Sequence, residues 1–225
     1  MGKNFLLVIS LVLTLSLVNA VDYSVVDNTG NSAGGQRFRG EIGGVSYGTQ
    51  SLRSATEFVW RVFQQSNAAS DRKPVQKITL FMENGNGVAF TSGDQIHFNA
   101  GYLGSFSGDV RREFTGVVYH EIVHVWQWNG SGGAPGGLIE GIADFVRLKA
   151  GLGPSHWVGP GQGDRWDQGY DVTARFLDYC NDLRNGFVAE LNKRMRNGYS
   201  ESFFVELLGK DVNQLWRDYK AKYGH

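Results

Sequence analysis

Cysteine is nearly missing from this 225-residue chain: Cys180 is the only one. No internal disulfide can form, so a hydrophobic core must supply the stability that small secreted domains take from cross-links. Roughly 200 residues is enough to build one. Cys180 sits in an apolar helical pattern with Phe176, Leu177, Tyr179 and Leu183. It reads as a buried structural thiol rather than a nucleophile. An excess of one charge is missing too, with 22 basic and 22 acidic side chains. Nothing in that balance points to nucleic acid or an anionic membrane as partner. Long apolar runs are confined to Phe5–Val18, which is short for a membrane span.

That run belongs to a segment, Met1 to Ala20, that reads as a secretory signal peptide. Lys3 supplies the positive end, and Val18-Asn19-Ala20 offers small residues for cleavage. The mature chain is expected to begin near Val21, as one domain over residues 21–225. Loss of Lys3 leaves 21 basic against 22 acidic side chains, a net charge of about −1. The expected setting is extracellular, in the apoplast, with no membrane contact after cleavage and the chain monomeric.

Proline and glycine are both absent from Val117 to Trp128. This stretch carries His120-Glu121-Ile122-Val123-His124, an HExxH pattern within an expected helix, Arg111 to Trp128. Residues four apart share a helix face. His120 and His124 can therefore present two imidazoles to one metal ion, with Glu121 beside them as general base for a metal-bound water. The flanking Val117, Val118, Ile122, Val123, Val125 and Trp126 are apolar. Two His and one Glu on a buried helix are costly without a partner, and a metal is the simplest one.

The organisation around this motif reads as α+β: a small sheet, then the HExxH helix, then a mainly helical C-terminal half. Asp22–Asp27, Val75–Met82, Val88–Thr91 and Gln95–Asn99 read as strands of an antiparallel or mixed sheet. Asn84-Gly85-Asn86-Gly87 is a hairpin-type turn signal. Gly30–Gly48 reads as an ordered loop with little regular structure, and Gln50–Gln65 as an amphipathic helix. Later helices are expected at Leu138–Lys149, Tyr170–Leu183, Phe187–Arg196, Glu201–Leu208 and Asp211–Tyr223. The Gly- and Trp-rich loop Gly153–Gly169 holds Trp157 and Trp166, which contact substrate or anchor the loop. Asn129-Gly130-Ser131 is a glycosylation sequon.

A catalytic zinc usually has three protein ligands and one open position. The third is sought in Glu140-Gly141-Ile142-Ala143-Asp144, where two acids share a helix face among apolar neighbours. Glu140 is favoured as ligand, with Asp144 accepting a hydrogen bond from the far nitrogen of His120. The reverse assignment stays open. The Gln95–Asn99 strand is expected at the cleft rim, pairing with substrate backbone as sheet edges do; His97 on it alternates away from Ile96 and Phe98 and reads as exposed, not as a ligand.

Four strings carry a family resemblance: HEIVHVWQW (His120–Trp128), GLIEGIADFVRLKAG (Gly137–Gly151), GYDVTARFLDY (Gly169–Tyr179) and GGQRF (Gly34–Phe38). They resemble the plant basic secretory proteins, a pathogenesis-related family described as zinc peptidases of plants and bacteria. The resemblance implies a zincin-like metallopeptidase fold, secretion and a part in pathogen defence. It also implies a Glu third ligand in a Glu-x-x-x-Asp helix, matching Glu140 and Asp144. The near-neutral charge departs from the family's name. The implied activity is zinc-dependent hydrolysis of peptide bonds in a protein or peptide substrate, as an endopeptidase. Tyr170 is the expected donor to the tetrahedral oxyanion, with His156 as runner-up. The competing expectation is a defence protein that binds zinc and a microbial or cell-wall ligand with little turnover.

Overall fold

The computed structural model describes residues 21–224; the signal-peptide reading of residues 1–20 lies outside them. Alternation of apolar and polar side chains sets the strands. Ile78, Leu80 and Met82 point inward from β2 (Lys77–Glu83), as do Ile96 and Phe98 from β4 (Gln95–Asn99), all fully buried. With β1 (Asp22–Asp27) and β3 (Ala89–Ser92) the sheet has the order β1-β2-β4-β3. β1, β2 and β4 run parallel, and β3 runs antiparallel to β4. The sheet is therefore mixed.

The Asn84–Gly87 turn does not close a hairpin. It carries the chain from β2 to the far edge of the sheet, and β4 then fills the space between. The hairpin is made by Gly93 and Asp94, with Ser92 facing Gln95 across them. Gly93 takes φ +58°, which glycine adopts without steric cost. As a result Gln95–Asn99 is an interior strand and cannot rim a cleft. β3 is the edge that does.

Gly30–Gly48 is also more ordered than its composition suggests. It holds a short helix α1 (Ala33–Arg37), a π-helical turn (Phe38–Ile42) and the first turn of α2 (Gly44–Val62). Ser32 caps α1, Phe38 and Ile42 are fully buried, and Gly34 packs on α3 (Ala100–Ser105). A Cβ on Gly34 would lie 1.7 Å from the Ala100 carbonyl oxygen. The α3 helix, capped by Asn99, has no counterpart among the expected elements.

The long helix α4 (Val110–Trp126) starts on Asp109, whose carboxylate accepts from the Arg112 N–H. One flank packs on α2 and the sheet through Phe114 and Trp126: Trp60 meets Trp126 edge-on at 5.1 Å and Phe98 meets Phe114 at 5.2 Å. The opposite flank faces α5 (Gly136–Lys149), which lies between α4 and α6 (Tyr170–Leu183). α7 (Phe187–Arg194), α8 (Ser202–Leu208) and α9 (Val212–Lys222) close the chain around Phe176, Phe187, Phe204 and Tyr219. Cys180, on α6, is fully buried. Among the described residues no helix is long and apolar enough to cross a membrane.

Candidate metal centre and active site

His120 and His124 stand one turn apart on the open flank of α4, and Glu140 faces them from α5. His120 Nε2 lies 3.1 Å from Glu140 Oε2 and 3.1 Å from His124 Nε2, and His124 Nε2 lies 3.6 Å from Glu140 Oε2. Ligand atoms about 2.1 Å from a tetrahedral ion sit about 3.4 Å apart. The three atoms fit one such ion, and the group can hold a metal.

Asp144, one turn further along α5, meets the opposite side of the same ring. His120 Nδ1 lies 2.6 Å from Asp144 Oδ1, both residues buried. That bond leaves His120 Nε2 directed at Glu140. Burial works against a charged His120, but its hydrogen bonds to Asp144 and Glu140 outweigh burial and push the ring up to about 10. Burial alone would raise the Glu140 carboxyl. Its bonds to His120 and His124 win, and hold it far below the usual carboxylate range.

Glu121 is buried beside the pair. The Thr91 hydroxyl on β3 donates to Glu121 Oε2 at 2.7 Å and lies 3.1 Å from the Glu121 carbonyl oxygen. The edge strand thus fixes the carboxylate. Gln127 is the second contributor without a motif signal. Its Nε2 lies 2.6 Å from His124 Nδ1 and 3.2 Å from the Ile139 carbonyl oxygen, while its Oε1 is buried without a partner. A His that offers Nε2 to an ion carries its proton on Nδ1 and needs an acceptor there. Half a turn of the amide would bring Oε1 to that place and give up the bond to Ile139. Gln127 meets the far nitrogen of His124, as Asp144 meets that of His120.

Tyr170 opens α6 with φ +46°, a left-handed conformation that costs a non-glycine residue about 1–3 kcal/mol. Its ring stacks on His120 at 6.2 Å, and the nearby Glu140 carboxylate, with burial second, raises the phenol pKa. The hydroxyl therefore stays protonated at neutral pH. His156 is exposed and lines the same cavity from the loop before α6.

The cavity over the metal group has a volume of about 980 Å³, bounded by β3, α4, α5 and residues 154–157. Trp157 lines it, whereas Trp166 is buried against Phe176 and Phe204 and anchors the loop. Asn129 is exposed at the rim, its Oδ1 accepting from the Gly132 N–H. His97 is part-buried rather than exposed. It stacks between Phe81 and Phe90 and bonds Glu83 at 2.7 Å, outside the metal group.

A family described as "Peptidase of plants and bacteria" matches residues 18–219. The chain belongs to this family. A protein named "Basic secretory protease" from Boswellia serrata is similar to it, at 52% identity over 59 residues. The match spans 26% of this chain and 67% of that relative. No solved structure matches. Membership makes the chain a peptidase, and peptides its class of substrate.

Proposed function

We propose that this peptidase is a secreted zinc metalloendopeptidase with a zincin-like architecture, acting in plant defence. The observation that carries the zinc reading is the convergence of His120, His124 and Glu140, with their far sides occupied by Gln127 and Asp144. Two imidazoles and a carboxylate suit zinc. The Met1–Ala20 segment and the relative's printed name support secretion, and the resemblance to basic secretory proteins supports the defence setting.

Bound zinc supplies Lewis-acid polarisation of the scissile carbonyl and lowers the pKa of water. The chain's own residues do the rest. Glu121, held by Thr91, takes the proton of the attacking water and delivers it to the leaving amine. Tyr170 offers a neutral hydroxyl to the developing oxyanion. β3, an edge strand along the cavity, offers backbone groups to an extended peptide.

The test is bound zinc and casein hydrolysis by the mature protein beside Glu121→Gln. Zinc should bind both, and the variant should lose about 10²–10⁴-fold in rate. Equal and negligible hydrolysis in both would leave a zinc-binding defence protein instead. Native protein without zinc would sink either reading.

A further inference from the structure

The cavity does not end at the metal group. Its wall continues along the facing flanks of α4 and α5 to Glu113 and Arg147. Glu113 and His120 are seven positions apart, as are Glu140 and Arg147. That is about 10 Å along each helix.

A buried charged group is built there. Arg147 Nη2 lies 2.9 Å from Glu113 Oε2, and Arg147 Nε donates to the Leu152 carbonyl oxygen at 3.1 Å. The Tyr102 hydroxyl donates to Glu113 Oε1 at 2.9 Å. The Trp157 ring lies over the guanidinium, with its centroid 5.5 Å away. On the helix beneath, Gly116 makes room: a Cβ there would come within 2.7 Å of Arg147 Nε.

Both Glu113 oxygens are taken, but the guanidinium is not used up. Arg carries five N–H donors. Nε and Nη2 are engaged, while Nη1 makes no hydrogen bond among the described residues. The side chain is 9% exposed, and it borders the cavity. Arg147 is paired with Glu113 but keeps a donor at the cavity that can take a further acceptor, and a planar guanidinium suits a carboxylate best.

We propose that Arg147 forms a carboxylate-binding subsite of the peptide cleft. The favoured substrates carry a Glu or Asp side chain, or a free C-terminal carboxylate, within two residues of the scissile bond. Two extended residues span about 7 Å, and a side chain or terminus covers the remainder. The inference rests on the cavity being the peptide site, and it names the substrate class.

The test uses capped eight-residue Ala/Leu peptides with one Glu, or Gln in its place, moved along the chain. A second pair differs only in a free or amidated C-terminus. Binding is measured to zinc-loaded protein carrying Glu121→Gln, so turnover is not needed. At one position, or for the free terminus, the carboxylate peptide should bind about 10- to 100-fold tighter than its amide partner. The two pairs tell side chain from terminus. Adding Glu113→Gln with Arg147→Gln, checked by zinc content and melting midpoint, should cut that ratio below about threefold. Arg147→Lys, which keeps the charge and loses the fork, should leave an intermediate ratio. Equal binding of the paired peptides would overturn the subsite, as would a ratio that survives both changes. A carboxylate preference without hydrolysis by the native protein would support the subsite and sink the proposed function.

Discussion

Gln127 and His124 give the clearest lesson at the scale of single residues. The amide is buried, its oxygen has no partner, and its nitrogen meets the ring on the side away from Glu140. Gln127→Leu removes the side chain that meets His124 Nδ1. Zinc affinity, read by chelator competition, should fall about 10- to 100-fold. Gln127→Glu, which keeps an acceptor, should lose less; equal losses would deny the amide this role. The His120–Glu140 contact makes a second prediction. The raised His120 contributes stability that is fully present below its unfolded value of 6.5 and is lost as pH rises through about 10. The depressed Glu140 contributes stability present above its unfolded value of 4.5 and lost as pH falls. The melting midpoint of EDTA-treated protein should therefore be highest between about pH 5 and 7. Asp144→Asn should blunt the alkaline side of that profile.

Which residues were readable follows from sequence distance. His120, Glu121 and His124 lie on one helix, as do Glu140 and Asp144, so spacing places each set on a face before any tertiary contact exists. The roles of Thr91 and Arg147 depend on partners 30 and 34 residues away, and no local period encodes such a contact.

At the scale of elements the same contrast holds. Tyr170–Leu183 starts and stops where its pattern predicts, because Gly169 and the apolar stripe mark it locally. Strand order was not legible: β3 pairs outside β4, a choice made by the Gly93–Asp94 turn and by packing, not by either strand's own residues. Glycine-rich Gly30–Gly48 misleads because several glycines there serve close contact rather than freedom. Gly141 does this between α5 and α6, where a Cβ would lie 2.2 Å from the Thr173 side chain. Gly141→Ala should destabilise the protein by about 1–3 kcal/mol. Gly85→Ala, with nothing within 4 Å of its Cβ, should stay within about 0.5 kcal/mol. Chemical denaturation of the two variants decides; similar values would mean that α5 and α6 yield to the added methyl.

For the whole molecule, stability rests on packing. Cys180 is fully buried on α6, and burial pushes its thiol well above the ordinary range. Reductant should leave the melting midpoint unchanged, and a thiol reagent should label Cys180 only after denaturant is added. Labelling of the native protein would show that the helices around it open.

The exposed edge of β3 reaches further than the site it borders. A strand can add to that edge only if its own backbone is free and drawn out. Helices have spent those groups internally, and interior strands have spent them on neighbours. On the proposed cleft a folded target would be shielded by its fold, and cutting would wait until a segment of several residues comes loose. Discrimination between an intact protein and a damaged one would then need no recognition of sequence at all.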